Sequence, residues 1–571
     1  MTIYDNSNIA ESYAGRTTPL TFSFVTHVYQ GAYTYFCRMM GVDKATIGKH
    51  ADMFEHMVEF IGYTIYYNLT NWYAMLALFP GYKLSSRFME RMMGVEKKYT
   101  TTQHTQTSVF QKYLVSIPKT LFSGITISMR FLFLGINVKR FNQYFDRTFS
   151  RINAIDLKQL PLKDLHRLYI ALDRDLLSRW RVPIANDFAV MVSAGLADML
   201  FKKWLYSSEA YSYMRSTAHT PLASLDPGNR ILNIVDEIRT NSELYAIFTS
   251  AASEEQILAL LRGQHQTLVA SRQIEKYLHE FGARIPNELK LESETLTEHP
   301  TNFIALVKNI VKRGMASTSP NDTRPQQDPL NVLNIPRKIF LRWLLRWASD
   351  SIVRREETRF RRTLIFGYVR RLFLTIGEKL SQQGTIQQTR DIFYLTVEEV
   401  FDSIATVPAK TEDSLSALIE QRKKQYTAWE GVSLPRRIET LKSITEIEKD
   451  LLAGHTAPSN RISNQPLRGR VASRPDNALA FSGTALTLKF FDPAANFRDK
   501  ILVTSQTDPG WTIIFPSLKG IIVERGGMLS HAAIAARELN IPCIVGVEAA
   551  TDRIATGTRI TINLLTGEIN P

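Results

Sequence analysis

GGMLSHAAIAARELNIP, Gly526 to Pro542, sets one histidine directly behind a glycine pair and a serine. The run before it, KGIIVERGG, reads as a buried strand ending in Gly526 and Gly527, and SHAAIAAREL reads as a strong helix former capped by Ser530. His531 therefore falls in the first turn of a helix, beside unpaired backbone N–H groups and the positive end of the helix dipole. That position disfavours an imidazolium and favours a bound anion. A neutral imidazole is a nucleophile, and the same N–H groups would receive a phosphoryl group carried on its nitrogen. The two glycines allow a sharp turn and leave room for a bulky partner. On the residues alone a second reading stands beside this one, in which the histidine merely caps the helix.

Around this stretch lie the short runs TALTLKFF, KILVTS, KGIIVE, CIVGV and TRITINLL, rich in threonine, valine and isoleucine and separated by turn residues. They predict strands around one helix from about Ser530 to Leu539, a small α/β domain over residues 478–571. Ahead of it, AGHTAPSNRISNQPLRGRVASRPDN predicts a flexible linker over 453–477. The 453–466 part alone could reach on the order of 45 Å, enough to swing a domain between two sites. Residues 1–452 predict a mainly α-helical body, with apolar positions three and four apart. FVTHVYQGAYTYFCRMMGV and LIFGYVRRLFLTIGEKLSQQG each end at a glycine, as helices commonly do. MASTSPNDTRPQQDP, Met315 to Pro329, is too polar and proline-rich to pack and reads as an exposed loop.

Composition narrows the function classes. A chain of 571 residues exceeds one hydrophobic core, and 44% hydrophobic with 22% charged residues is the balance of a folded soluble protein. Two cysteines, Cys37 and Cys543, argue against a disulfide framework or a cysteine-held metal, and no metal site is expected. The net charge of +14 admits anionic partners, yet no nucleic-acid signature accompanies it. RREETRFRR, Arg354 to Arg362, interleaves acids and reads as a paired or solvated helix face. The start, MTIYDNSNIAESYAG, has no basic leader, and the apolar windows Ile61–Pro80 and Leu121–Val138 are too polar or are broken by Arg130. The expectation is a cytoplasmic protein with neither nucleic acid nor membrane as partner. A P-loop, GxGxxG and GxSxG are absent, and HEFGA at His279 has Ala283 where a zinc-protease helix needs a second histidine.

GGMLSHAAIAARELNIPCIVG, together with TDPGWT at Thr507 to Thr512, resembles the phosphohistidine motif of the swinging domain in the phosphoenolpyruvate (PEP)-utilising enzymes: PEP synthase, pyruvate phosphate dikinase, the first enzyme of the sugar phosphotransferase system and rifampicin phosphotransferase. The resemblance implies that His531 takes a phosphoryl group at one active site and delivers it at another. Ser530, Gly526, Gly527 and Arg537 are the matching neighbours that would support that site. Arg537 stands six residues along the helix, on a different face from His531, so contact with a partner and simple packing both remain open for it.

The body resembles the same family, in rifampicin phosphotransferase and its PEP-synthase-like relatives. NSNIAESYAGRTTPLTFSF, IYYNLTNWY, VPIANDF, YLHEFGARIPNELKLE, RREETRFRRT and DIFYLTVEEV follow in order. Relatives differ at Tyr63-Thr64, Arg284-Ile285 and Glu294-Thr295-Leu296, which sets the acceptor pocket rather than the fold apart. An acceptor site needs cations for the transferring oxygens and a base for the attacking hydroxyl. Arg284 with Glu288, and Arg355 with Glu356, supply both residue types, and each would serve equally well as a structural ion pair.

Relatives charge the histidine from an ATP-grasp domain or a PEP-binding barrel, and neither is read in this sequence. The resemblance thus implies a split phosphotransferase. A separate ATP-grasp protein of the PEP/pyruvate-binding type would hold ATP and Mg²⁺ and phosphorylate His531, no cofactor would be bound tightly by this chain, and a small-molecule acceptor would sit on the helical domain. Two alternatives accompany it: a non-catalytic phosphohistidine carrier that regulates a partner, and a component of a PEP synthase-like system.

Overall fold

The computed structural model describes residues 1–79, 133–207, 226–266, 268–313, 328–405, 412–432, 434–454, 466–475, 478–492 and 495–570, together with 210, 213 and 214. Most of the loop read at 315–329, the linker stretches 455–465 and 476–477, and part of the apolar window 121–138 lie outside the described residues.

Helices make up the body, and its axis is the 48-residue helix Ile335–Gln382. Asn334 caps it by accepting the N–H of Arg337, proline occupies its first turn, and the chain leaves through Gly384 at φ +80°. The helix Arg181–Leu205 runs against it. The helix Pro19–Met39 brings the N-terminal segment alongside, so that Phe24 meets Phe366 edge to face at 5.1 Å. A second helical group, Asp226–Thr240, Val269–Phe281 and Pro300–Arg313, packs around Ile234, Ile274 and Phe303. One helical run, Leu162–Leu205, is long and apolar enough by composition to cross a bilayer, and 50% of its most apolar window is buried inside the protein.

The body also carries a four-stranded sheet that the sequence reading did not anticipate. Its strands are β1 (Thr2–Asp5), β2 (Val58–Ile61), β3 (Thr64–Asn68) and β4 (Arg437–Thr440), in the order β2-β3-β1-β4. The reason is local: all of β3 is buried, so the polar/apolar alternation that marks a strand is missing, and β4 joins β1 from the far end of the body.

The C-terminal domain holds the five strands expected. They are β7 (Ala480–Leu488), β8 (Lys500–Thr504), β9 (Gly520–Val523), β10 (Cys543–Val545) and β11 (Arg559–Asn563). β7 to β10 run parallel, with Leu502 opposite Ile521 and Ile522 opposite Ile544. Short strands β5 (Leu467–Arg468), β6 (Arg470–Ser473) and β12 (Glu568–Asn570) complete an eight-stranded sheet. β5 and β6 fall inside the stretch read as linker, so 467–473 is sheet and not tether. Pro466, Gly469 and Pro475 interrupt the strand pattern there, and only pairing with β12 and β10 reveals it.

The C-terminal domain does not stand clear of the body. Trp511, Ile513, Phe515 and Ala532 share one buried core with Ile231, Ile234 and Phe303 of the second helical group. The turn Pro509–Ile513 lies on the helix Asp226–Thr240. This seam positions the site.

Candidate functional site

β9 delivers the chain to Gly526, whose φ of +109° suits glycine, and a Cβ there would lie 2.9 Å from both Glu11 Oε1 and Ser530 Cβ. Ser530 N–H then donates to Gly527 O, and Ser530 Oγ accepts the N–H of Ala533 at 3.4 Å, capping the helix His531–Glu538. His531 is thereby fixed at the first helical position. It is 2% exposed, because the domain is seated with this helix start against the long helix of the body.

Opposite the imidazole stand residues read from the sequence as acceptor candidates. Glu356 Oε2 is 3.9 Å from His531 Nδ1, and Glu356 Oε1 pairs with Arg359 at 3.4 Å. Arg355 is paired with Asp187 at 3.5 Å. Arg284, 1% exposed, lies with its guanidinium 5.4 Å from the centre of the Phe360 ring. Glu288 accepts a hydrogen bond from Thr363 Oγ1 at 2.7 Å. The structure thus brings His531, Arg284, Glu288, Arg355 and Glu356 to one seam, with Ser530, Gly526 and Gly527 forming the turn that presents the histidine.

Arg537 sits farther along the same helix as His531. Six residues on at about 100° each turn it away from His531, and its Nε donates instead to Ala472 O of β6 at 2.7 Å.

The electrostatics follow from burial among cations. Burial pushes the His531 pKa down to about 3, with Arg359, Arg284 and Arg355 adding to the effect and Glu356 opposing it, so the imidazole is neutral. The Glu356 pKa is lowered as well: burial works against its charge, but Arg359 and the other guanidiniums hold it below the ordinary value. Burial raises both Glu288 and Glu11. Among the described residues, buried polar atoms without a hydrogen-bond partner gather at this seam. They include both ring nitrogens of His531, Nε and Nη1 of Arg284, Oε2 of Glu288, Oε2 of Glu356 and Nε of Arg362. Native interiors rarely leave such groups unmet, and a cluster of them marks a place built for a polar ligand.

Sequence reading missed Glu11, Asp187, Arg359, Arg362 and Thr363. The signal for three of these was present, since Arg355, Arg359, Arg362 and Thr363 recur at three- and four-residue spacing and so share a helix face. Glu11 and Asp187 carried no such signal.

Fold and site together define a histidine-bearing α/β domain seated on a helical body, with the histidine facing a buried cluster of guanidiniums and carboxylates. Residues 497–567 match the mobile domain of PEP-utilising enzymes, and residues 184–356 match the fourth domain of rifampicin phosphotransferase. Two stretches of the chain are thus similar to domains of PEP-utilising enzymes. It is 27% identical to the rifampicin phosphotransferase of Bacillus subtilis over 64% of this chain and 42% of that protein. With the Bacillus cereus protein of the same name it shares 24% identity over 74% and 47%, and with that of Streptomyces sviceus 25% over 64% and 42%. The chain spans less than half the length of these relatives.

Proposed function

We propose that this chain is a cytoplasmic phosphotransferase component in which His531 carries a phosphoryl group to a hydroxyl of a small-molecule acceptor held by the helical body. The donor in this proposal is a separate ATP-grasp protein that uses ATP and Mg²⁺. One observation carries the reading: the buried polar atoms without partners converge on His531 from both sides of the seam.

In the transfer step the N–P bond at His531 Nε2 breaks as a P–O bond to the acceptor hydroxyl forms. The hydroxyl proton passes to a carboxylate, for which Glu288 is the candidate, and Nδ1, which faces the ionised Glu356 and carries its proton in the phosphohistidine, keeps it so that the departing ring is neutral imidazole. Arg284, Arg355 and Arg359 meet the charge of the transferring oxygens. Beyond Glu288, Arg362 adjoins Tyr13, and Tyr29, Tyr33 and Tyr67 continue an aromatic, hydroxyl-bearing wall suited to an acceptor with ring surface.

The test is labelling. With an ATP-grasp protein of this family, ATP labelled at the β-phosphate and Mg²⁺, an acid-labile, alkali-stable label is expected on this chain and is lost in His531→Ala. Self-labelling by the chain alone from ATP or PEP would overturn the separate donor. Label that persists in His531→Ala would overturn the carrier.

A further inference from the structure

We propose that the turn Gln506–Gly510 is a docking key that seats the histidine-bearing domain on the body, with Asp508 as its positioning residue. The purpose assigned to it, aiming His531 at the acceptor, rests on the phosphoryl-carrier reading, whereas the seating itself stands on contacts alone. Asp508 holds its own turn by accepting Gly510 N–H through Oδ1 at 2.9 Å, and it reaches across the seam to accept Asn287 N–H through Oδ2 at 2.5 Å. Asn287 is held in the left-handed region at φ +62°, and the next residue is Glu288 of the site. One carboxylate therefore fixes both the carrier turn and the loop that presents Glu288. Gly510 completes the fit, because a Cβ there would overlap the backbone of Ile285 and Pro286. Its φ is not in the left-handed region, so alanine is compatible with the turn itself and only the approach to the body demands glycine. On the other side of the turn, Gln506 Nε2 donates to Ala10 O, next to Glu11.

The key is sensitive to charge. Burial, together with the facing carboxylate of Glu288, raises the pKa of Asp508 to about 7, against the pull of the Asn287 and Gly510 N–H groups and of Arg284. From the long helix, Arg359 and Arg362 face Glu288. A docked pKa above the ordinary 3.8 means that the docked state holds the proton more tightly. The contribution of Asp508 to docking is therefore greatest at low pH, weakens as pH rises toward about 7, and is level above that. Asparagine at 508 removes the charge and keeps an oxygen acceptor for one of the two N–H groups.

The full chain and diethyl pyrocarbonate, which acylates accessible neutral imidazole, test this without any phosphoryl transfer, so failure here and failure of the carrier reading are separate results. The readout is the acylation rate of His531 relative to exposed His50 in the same digest, with circular dichroism as the check on folding. Loss of a charge-assisted bond across the seam is expected to raise the His531 ratio about tenfold in Asp508→Ala, and Gly510→Ala is expected to raise it at least as much. Asp508→Asn, with one of the two bonds left, is expected to fall between the native chain and Asp508→Ala at about pH 5.5 and to gain on the native chain as pH rises to about 7.5. A natively folded Gly510→Ala in which His531 stays as protected as in the native chain overturns the key. Should Gly510→Ala fail to fold, the pH series decides, and an Asp508→Asn ratio that tracks the native one throughout overturns the role of Asp508.

Discussion

His531 Nδ1 lies 3.9 Å from Glu356 Oε2 across the seam between the C-terminal domain and the long helix, and both side chains are buried. A neutral imidazole beside a carboxylate that Arg359 already holds ionised is an arrangement for steering a proton rather than for a simple ion pair. The carboxylate faces Nδ1 at a distance too long for a hydrogen bond.

Glu356→Gln tests that role with almost no change in volume. Delivery of the phosphoryl group from His531 to an acceptor is expected to slow on the order of a hundredfold or more, in line with loss of a positioned acid–base group. Charging of His531, which the proposed function places away from the body, should continue. Single-turnover transfer from the isolated phosphorylated chain measures it, and an unchanged transfer rate would remove Glu356 from the mechanism.

Arg359 is expected to matter for stability as well. It is the closest cation to the fully buried Glu356 carboxylate, and Arg359→Ala leaves that charge with more distant partners. Breaking a buried pair costs about 3 kcal/mol or more, which denaturant unfolding of the body resolves easily. The double variant Arg359→Ala with Glu356→Gln should recover much of the loss, since no uncompensated charge remains. A double variant as unstable as the single one would mean that the guanidinium acts through packing.

The turn ahead of the histidine gives a purely conformational case. Gly526→Ala places a Cβ at φ +109° and 2.9 Å from Glu11 Oε1, so a cost of about 1–3 kcal/mol is expected, together with displacement of His531. Ser530→Ala removes only a cap, about 1 kcal/mol, and should leave the histidine where it is. Thermal unfolding ranks the two, and the larger loss is expected at Gly526.

How far the sequence reached follows from where each signal is stored. Gly526, Ser530 and His531 sit within six residues, and glycine, cap and helix former each point to the same local structure. RREETRFRR was legible as a helix, with Arg355 and Glu356 offered as acceptor candidates: spacing shows that Arg355, Arg359 and Arg362 share a face, and it is silent on what that face meets. Glu11 and Asp187 are joined to the site only by the docking of distant segments, so no local pattern marks them, and TDPGWT marked Asp508 by resemblance without showing what it meets. β4 was missed for the same reason, its partner β1 being at the other end of the body.

The pH behaviour of His531 provides the last expectation. Its pKa falls from an ordinary 6.5 to about 3 in the seated domain, first by burial and then by Arg359. Between those values the undocked histidine binds a proton that the docked one refuses, so protonation pulls toward undocking. The contribution of His531 to docking is therefore complete above pH 6.5 and is lost as pH falls toward about 3, the reverse of the Asp508 trend. Over much of the mildly acidic range the two oppose each other, and the native chain should show a flatter profile than either single variant. His531→Gln removes one contribution and should dock better relative to the native chain as pH falls, whereas Asp508→Asn gains as pH rises. Histidine-selective NMR of the full chain checks the origin directly: the His531 ring signals should stay in the neutral form through pH 5 while exposed histidines titrate. An ordinary titration of His531 near 6.5 in the seated state would show that the guanidiniums do not govern its charge.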